Sequence, residues 1–264
     1  MPLVLRVVLY YVMFPLFVAG ALCFYLVLRV RLCLLPQSSR KRVARTFIHY
    51  GARLLMYVLQ AVGLVRLSVD TGGEQEASSR ASIVVANHPS MLDAMLLLSI
   101  LPNAVCIMKR SLLRLPLVSG FAQAAGYLPQ AEPPELLASA SLALAEGASV
   151  IIFPEGTRSR PGVMGEFRRG AARLSVETGA PLVVFSLEMS PVVLGGERRW
   201  LRPPTSIVRY QAVRLAMGEG ELEPNQVSTP EEAREESIRL TRCLEDRVRN
   251  SLLLTSKADN SGAL

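Results

Sequence analysis

The sequence predicts an α/β domain with a largely parallel sheet flanked by helices, preceded by an N-terminal membrane-anchoring helical segment. From residue 65 onwards, short apolar runs typical of strands alternate with stretches of helical periodicity. Residues 7–28 carry no charge, and a basic amphipathic stretch follows them. We therefore expect a membrane helix and an amphipathic helix in residues 1–64, the α/β domain in residues 65–255 and a disordered tail in residues 256–264.

Strands and helices alternate along the predicted domain, and this order favours parallel pairing because each helix returns the chain to the same edge of the sheet. The last helix has a clear beginning, with Thr229 as N-cap, Pro230 at the first helical position and Glu232 closing a capping box. The predicted strands are Val65–Val69, Ile83–Ala86, Ala104–Lys109, Ser149–Phe153, Leu182–Leu187 and Ile207–Leu215. The predicted helices are Leu92–Leu101, Leu113–Ala125, Pro134–Glu146, Gly170–Thr178 and Pro230–Leu254.

The uncharged run from Val7 to Leu28 would measure about 33 Å as a helix, which matches one hydrocarbon core. A secretory signal peptide is disfavoured, because the run is too long and no small-residue cleavage site follows it. Arg6 precedes the run, whereas several basic residues follow it, beginning with Arg29 and Arg31. This asymmetry places the rest of the chain on the cytoplasmic face of the inner (plasma) membrane.

An amphipathic helix is predicted from Ser39 to Gly63, with apolar residues at helical spacing and basic residues on another face. A basic amphipathic helix after a membrane segment is typical of one that lies in the membrane interface. A helix packed on the globular domain is the alternative. His49 falls among the arginines of the polar face, so we expect it to be a solvated surface residue.

The net charge of +7 indicates a negatively charged partner, either nucleic acid or an anionic lipid surface. Nucleic-acid binding is disfavoured, because no known module and no interleaving of aromatic and basic residues is found. The four cysteines are scattered, without a C-x-x-C pair or a neighbouring histidine. We therefore expect reduced thiols, no disulfide framework and no metal site.

A first polar cluster follows the predicted strand that ends at Ala86, and it contains His88 and Asp93. Pro89 disfavours a helical conformation for His88, so His88 approaches the next helix while Asp93 lies in its first turn. There the two side chains can meet, as a general base and the carboxylate that orients it. Two alternatives remain: Asp93 could simply close a capping box with Ser90, and a lone histidine at a strand end is often structural.

A second polar cluster, Pro154 to Ser159, follows the predicted strand that ends at Phe153. Gly156 permits close approach to the backbone, and Arg158 offers a planar fork for a phosphate or carboxylate. The alternative is a local Glu155–Arg158 ion pair in a solvated turn. Because parallel strands end at one edge, where such folds bind ligands, the two clusters together predict a site there.

His88 and Asp93, followed about 65 residues later by Phe153 to Ser159, resemble the motifs of the glycerolipid acyltransferases, which include 1-acylglycerol-3-phosphate acyltransferase. The resemblance covers about Ile83 to Pro191. It implies His88 as the general base and Asp93 as its partner. It also implies an acyl thioester donor on coenzyme A or acyl carrier protein, a lysolipid acceptor at the bilayer, no cofactor and no metal. The resemblance assigns Glu155, Gly156 and Arg158 to binding of the acceptor head group. We expect Thr157, Lys109 and Arg110 to contribute to substrate binding as well.

One stretch departs from the family pattern. Relatives that act on phosphate-bearing acceptors carry an arginine in a stretch like Ile-Asp-Arg, whereas this chain has Tyr127 to Gln130 there, without a cation. The Tyr-Leu-Pro version resembles acyltransferases associated with aryl polyene and other specialised lipids. The expected acceptor is a lysophospholipid such as 1-acylglycerol-3-phosphate. Lyso-ornithine lipid or an aryl polyene-type lipid is the alternative, and so is a non-enzymatic protein that binds anionic lipid.

Overall fold

A computed structural model describes residues 2–72, 80–159, 163–195, 203–216, 222, 224–225 and 227–261. The helices are α1 Leu3–Cys33, α2 Gln37–Ala61, α3 Leu92–Ile100, α4 Pro116–Ala125, α5 Pro133–Ala145, α6 Gly170–Thr178 and α7 Pro230–Ser261. The strands are β1 Val65–Asp70, β2 Ile83–Ala86, β3 Ala104–Met108, β4 Leu128–Pro129, β5 Ser149–Ile152, β6 Leu182–Ser190 and β7 Val208–Arg214. The predicted α/β class is confirmed.

The strands form one sheet in the order β1-β7-β6-β2-β5-β3-β4. Every neighbouring pair is parallel except β6 and β7, which are antiparallel. The carboxyl ends of β2, β5 and β6 therefore lie at one edge of the sheet, and β7 begins at that edge. The polar clusters that follow β2 and β5 meet there, as the sequence predicts for a parallel sheet.

Two elements differ from the prediction between residues 109 and 130. The predicted helix Leu113–Ala125 is divided into a short 3-10 turn, Arg110–Arg114, and α4, because Pro116 at the first position of α4 cannot donate a helical hydrogen bond. Lys109 lies after β3 rather than within it. The short edge strand β4 was not predicted, since two residues are too few to show an apolar alternation.

Apolar side chains fill both faces of the sheet. On one face, α2 and α3 contribute to a core with Val84, Leu96 and Tyr210, and on the other face α5, α6 and α7 pack over Val85 and Val150. The buried stripe of α2 consists of Ala44, Ile48, Ala52 and Met56. Since these residues share a core with the sheet, α2 packs on the α/β domain. The expected domain boundary at residue 64 stays a prediction.

The alternative of a helix packed on the domain is thus correct for α2, and two of its polar residues are buried. His49 was expected in solvent, but its Nδ1 lies 2.8 Å from the carbonyl oxygen of Leu98 on α3. Arg45 Nε donates to the carbonyl of Ala125 at 2.8 Å, at the end of α4. A long polar side chain that finds a buried backbone partner can face the core, which the amphipathic pattern alone does not reveal.

Helix α1 is long and apolar enough to cross a membrane by length and composition, and it is the one such helix among the described residues. Its C-terminal half packs closely on the domain: a Cβ at Gly51 of α2 would lie 2.7 Å from the Phe24 ring, and one at Gly120 of α4 would lie 2.5 Å from Tyr25. At its other end, Arg6 Nη1 donates to the carbonyl of Thr205. Both ends of α1 therefore contact the α/β domain, while most of its middle is exposed.

The start of α7 confirms the predicted capping box. Glu232 N–H donates to Thr229 Oγ1 at 3.2 Å, and Thr229 N–H donates to a carboxylate oxygen of Glu232 at 3.2 Å. The helix continues to Ser261, so residues 256–261 are helical rather than part of a disordered tail. Residues 231–261 contain neither glycine nor proline, so no helix-breaking residue ends the helix earlier. Residues 262–264 lie outside the described part of the chain.

Candidate active site

The turn that follows β2 is fixed to the neighbouring strand by a buried side chain. Asn87 Nδ2 donates to the carbonyl of Leu187 on β6 at 2.8 Å, and Leu187 N–H donates to Asn87 Oδ1 at 2.7 Å. This pair of hydrogen bonds continues the β2–β6 ladder by one residue through a side chain. The next residue, His88, therefore leaves the sheet at a defined position on its carboxyl edge.

His88 and Asp93 form the central pair of this edge. His88 Nδ1 lies 2.7 Å from Asp93 Oδ2, and Asp93 is fully buried. The expected contact between His88, which precedes α3, and Asp93, in the first turn of α3, is confirmed. A carboxylate on Nδ1 fixes the tautomer with the proton on that nitrogen, which leaves Nε2 as the acceptor for a substrate proton.

Asp93 accepts two further hydrogen bonds. Ser90 N–H donates to Oδ2 at 2.7 Å, and the Tyr210 hydroxyl, from β7, donates to Oδ1 at 2.5 Å. Burial raises the pKa of Asp93, and the bonds from His88, Tyr210 and Ser90 act in the opposite direction. Burial, together with the charge of Asp93, raises the pKa of Tyr210 well above its usual value, so Tyr210 remains a donor.

The capping alternative for Asp93 is true in part and does not compete with the pairing. Asp93 accepts from Ser90 N–H, as one half of a capping box requires. The Ser90 hydroxyl, however, donates to the carbonyl of Val193 at 2.8 Å and accepts from Leu92 N–H at 3.2 Å. One carboxylate thus orders the turn and orients the imidazole at the same time.

The imidazole of His88 is enclosed on one face by the second motif. Its ring stacks on Phe153 with a centroid separation of 4.1 Å and an interplanar angle of 18°. The side chain retains 19% of its exposure, whereas Asp93 retains none. The base is therefore partly shielded and still reachable by a substrate.

Glu155 connects the two turns. Its Oε1 accepts from His88 N–H at 2.8 Å and from the Ser159 hydroxyl at 2.8 Å, and its Oε2 accepts from Gly165 N–H at 2.7 Å. Ser159 N–H also donates to the carbonyl of His88 at 2.7 Å. Both oxygens of this buried carboxylate are thus occupied, and one of them holds the backbone of His88. Acceptor binding by Glu155, which the resemblance implies, stays a prediction.

Arg158 does not pair with Glu155, so the local ion pair expected as an alternative is wrong. Its Nη1 donates to the carbonyls of Leu194 and Gly195 at 2.9 and 2.7 Å. Across the described ranges no other hydrogen bond of Arg158 is found, so its Nε and Nη2 can meet an anion. Thr157 is exposed, and Gly156 has a φ of +69°, the left-handed turn conformation that glycine favours.

Lys109 and Arg110 follow β3 and are exposed at the same edge. Arg110 Nε donates to the carbonyl of Gln130 at 2.9 Å. The stretch in which the sequence lacks the family's arginine therefore has a guanidinium beside it, supplied by a residue 20 positions earlier. Acceptor binding by Lys109, Arg110, Gly156, Thr157 and Arg158 remains a prediction.

Tyr210 and the positioning role of Glu155 were not found from the sequence. The alternation of β7 predicts that Tyr210 faces the same side as Val208 and Ala212, but not which carboxylate it meets 117 residues away. In the described part of the chain, no group of three or more histidine, cysteine, aspartate and glutamate side chains could hold a metal ion.

Comparisons with known proteins find similarity to acyltransferases. Residues 68–188 match the acyltransferase family profile. The chain is 27% identical over 190 residues to a 1-acyl-sn-glycerol-3-phosphate acyltransferase of Pseudomonas aeruginosa, covering 68% of this chain and 69% of the relative. It is 33% identical over 171 residues to the human 1-acyl-sn-glycerol-3-phosphate acyltransferase beta, covering 62% of this chain and 60% of the relative.

Other curated relatives are longer than the matched region. The chain spans about half the length of two of them, both 1-acyl-sn-glycerol-3-phosphate acyltransferases. It covers 41% of the chloroplastic one of Arabidopsis thaliana and 59% of the one of Cocos nucifera. A solved structure, the 1-acyl-sn-glycerophosphate (LPA) acyltransferase PlsC of Thermotoga maritima, has the same fold, with a TM-score of 0.60 at 19% identity. That likeness covers 93% of this chain and 98% of the other. Residues 68–188, which contain His88, Asp93 and the Glu155 turn, are thus similar to the acyltransferase family.

Proposed function

We propose that this chain is a membrane-associated O-acyltransferase that moves a fatty acyl group from a thioester to the hydroxyl of a lysophospholipid, with 1-acylglycerol-3-phosphate as the acceptor. The observation that carries the proposal is the 2.7 Å contact between His88 Nδ1 and the buried Asp93, which leaves Nε2 for a substrate proton. The match of residues 68–188 to the acyltransferase profile and the names of the relatives support the reaction class and the acceptor.

The proposed mechanism needs one base and no covalent acyl-enzyme. His88 Nε2 removes the proton from the acceptor hydroxyl as that oxygen attacks the thioester carbonyl carbon. The new carbon–oxygen bond forms, the carbon–sulfur bond breaks, and the imidazolium returns its proton to the departing thiolate. Asp93 stabilises the imidazolium in between, and donors of the turn after β5 stabilise the oxyanion. The acyl donor is a substrate, carried by coenzyme A or acyl carrier protein.

The cations along the edge suit an acceptor that carries a phosphate. Arg158 keeps two guanidinium nitrogens for an anion, and Lys109 and Arg110 lie at the end of β3. Arginine binds phosphate through a planar fork, which is stronger and more specific than a single point charge. Arg110 supplies a guanidinium beside Gln130, where the chain lacks the family's arginine, although its Nη2 also lies 3.8 Å from Glu135 Oε2.

The placement of α1 supports access from the bilayer. Exposed apolar side chains run along its middle, including Val12, Phe14 and Leu16, while Arg6 contacts Thr205 just before β7. β7 begins at the edge where β2 ends, so α1 starts beside the edge that bears His88. A helix with both ends on one domain can enter the lipid along its exposed side. We place the domain on the cytoplasmic face of the membrane, from the basic residues that follow α1.

Transfer of labelled acyl chains tests the proposal directly. The purified chain is given labelled acyl-coenzyme A or acyl-acyl carrier protein with lysophosphatidic acid, other lysophospholipids or lyso-ornithine lipid, and products are separated by chromatography. We expect labelled phosphatidic acid, and none from a His88→Ala variant. Transfer to lyso-ornithine lipid alone would keep the reaction class and replace the acceptor. Transfer to none of these acceptors, with the chain folded and bound to vesicles, would favour a non-enzymatic lipid-binding protein.

A further inference from the structure

A surface pocket of about 550 Å³ lies beside the beginning of β7, outside the candidate active site. Three arginines line it, Arg6 from α1, Arg66 from β1 and Arg209 from β7. The hydroxyl residues Ser190, Thr205 and Ser206 complete its polar lining. The described residues that line the pocket thus include three arginines and no carboxylate.

The sheet sets two of these arginines side by side. Arg209 is in register with Arg66 on β1 and with Ser190 on β6, so the three side chains project from the same face of neighbouring strands. Adjacent strands lie about 4.8 Å apart, which places both guanidinium groups within reach of one phosphate-sized anion. Glu188 projects from the same face two residues before Ser190 and is not among the lining residues.

The third arginine comes from the membrane-anchoring helix. Arg6 is buried, and its Nη1 donates to the carbonyl of Thr205, which also lines the pocket. A buried guanidinium held by a backbone carbonyl is a fixed positive charge at the wall of the pocket. The pocket is therefore built from two parts of the chain, the sheet edge and the first turns of α1.

The pocket and the candidate active site lie on opposite faces of the sheet. Tyr210 reaches Asp93 on the face covered by α2 and α3, and side chains of successive strand residues alternate between faces. Arg209 therefore projects away from Asp93. A ligand in the arginine pocket would not contact His88, so the pocket is separate from the acceptor site.

The neighbourhood of the pocket indicates a lipid head group. Val8, Tyr11, Val12 and Phe14 of α1 are all exposed, and they follow Arg6 within eight residues. At 1.5 Å per residue, this apolar surface lies within about 12 Å of Arg6 along the helix axis. When these side chains enter the acyl region of the bilayer, the pocket lies at the level of the lipid phosphates.

We propose that the pocket of Arg6, Arg66 and Arg209 binds the phosphate of an anionic phospholipid of the bilayer. Guanidinium forks match phosphate oxygens in pairs, and the hydroxyls of the pocket can donate to the remaining oxygens or to the head group. The bound lipid fixes the depth and orientation at which the domain rests on the membrane. This site is for a resident lipid, and the proposal does not depend on acyl transfer.

Native mass spectrometry of the full chain in detergent counts bound lipids and tests the site. Dihexanoyl phosphatidylglycerol, dihexanoyl phosphatidylcholine and inorganic phosphate are the probes. The variants are Arg66→Gln with Arg209→Gln, and Arg66→Lys with Arg209→Lys, which keeps the charge and removes the forks. Arg234→Gln with Arg242→Gln on α7 is the charge-matched control, since both arginines are exposed and neither lines the pocket. Thermal unfolding checks that each variant is folded.

We expect one phosphatidylglycerol to bind more tightly to the unmodified chain than phosphatidylcholine does. The glutamine pair and the lysine pair should each weaken it about tenfold or more, because both lose charge-assisted forked contacts. The α7 control should bind it unchanged. Unchanged binding of phosphatidylglycerol by the glutamine pair would overturn the proposed site. Unchanged binding by the lysine pair would overturn recognition through guanidinium forks, because charge alone would then suffice. Displacement of the lipid by an equal concentration of inorganic phosphate would overturn the assignment to a lipid.

Discussion

The hydroxyl of Tyr210 donates a hydrogen bond of 2.5 Å to Oδ1 of Asp93, and both side chains are buried. This contact joins β7 to the first turn of α3, across 117 residues of sequence. It occupies the oxygen of Asp93 that does not face His88. The carboxylate is therefore held from both sides, and its rotation, which would misalign the imidazole, is prevented.

Tyr210→Phe should lower kcat about tenfold and leave the KM values for donor and acceptor nearly unchanged, since the hydroxyl orients Asp93 and touches no substrate. Removing a hydrogen bond that lowers the pKa of Asp93 raises that pKa. The acid limb of the rate profile should therefore move to higher pH. Steady-state kinetics over a pH series measures both effects.

Tyr127→Phe is the matched control for that experiment. Tyr127 is a partly buried tyrosine, and its buried hydroxyl finds no hydrogen-bond partner within the described ranges. Its removal should leave both kcat and the pH profile unchanged. If Tyr127→Phe and Tyr210→Phe behaved alike, the hydroxyl of Tyr210 would have only a packing role.

Substitutions in the first polar cluster separate the catalytic role of Asp93 from its role in the turn. His88→Ala should abolish transfer while the fold and membrane binding persist, and Asp93→Asn should reduce kcat by at least about a hundredfold, through the wrong tautomer. Ser90→Ala should affect activity much less and cost about 1–2 kcal/mol of stability, through its buried bond to Val193. A larger loss of activity for Ser90→Ala than for Asp93→Asn would make capping the main role. Initial rates and chemical denaturation provide the comparison.

The local parts of the site were predictable, and the long-range parts were not. The meeting of His88 and Asp93 depends on five residues of sequence, on Pro89 and on the helix that follows, so the pattern predicts it. The position of Glu155 depends on β5 lying beside β2. The contact of Tyr210 with Asp93 depends on β7 pairing with β6. Strand order is a property of the whole sheet, and one sequence does not reveal it.

The same limit explains the error at α2. In the sequence, Leu54 and Val58 belong to the apolar residues at helical spacing, and Arg45 and His49 to the basic face. In the structure Leu54 is exposed, whereas Arg45 and His49 are buried with backbone partners on α4 and α3. Tertiary hydrogen bonds decided which face turned inwards, and periodicity does not contain that information.

Glu155→Gln distinguishes a positioning role from acceptor binding. An amide nitrogen cannot accept the bond that Gly165 N–H or His88 N–H donates, so one of these backbone groups loses its partner. We expect kcat to fall about tenfold or more, with little change in the acceptor KM. A higher acceptor KM at unchanged kcat would mean that Glu155 binds the head group after all. Arg158→Gln is the informative comparison, because we expect it to raise the acceptor KM.

The exposed side of α1 should govern membrane attachment without affecting the fold. Phe14→Ser together with Phe17→Ser removes two exposed aromatic side chains, so the fraction of protein bound to vesicles should fall while the melting temperature stays constant. Leu28→Ala, in the same helix but fully buried, should do the opposite and cost about 2–5 kcal/mol of stability. Vesicle flotation and thermal unfolding measure the two quantities. Equal effects of both changes on flotation would contradict this division of α1.

The pH dependence of stability should contain a contribution from Glu236 at the start of α7. Its carboxylate accepts from Arg239 Nη2 at 2.7 Å and Nε at 2.9 Å, and from Asn225 N–H at 2.9 Å. The hydrogen bonds from Arg239, together with those from Asn225, lower the pKa of Glu236 to about 2, against an ordinary 4.5. A lowered carboxyl pKa stabilises the folded state above the unfolded value, by up to about 3 kcal/mol, and that stability is lost as pH falls from 4.5 towards 2.

Glu236→Gln should therefore be less stable than the unmodified chain at pH 7, and the difference should shrink steadily between pH 4.5 and pH 2. Other carboxylates titrate in the same range, but they are common to both proteins and cancel in the difference. Glu235→Gln is the control, since Glu235 is an exposed neighbour on the same helix turn. Denaturant unfolding across this pH range measures the difference. A constant difference at all pH values would mean that packing, and not the ionised carboxylate, is what Glu236 contributes.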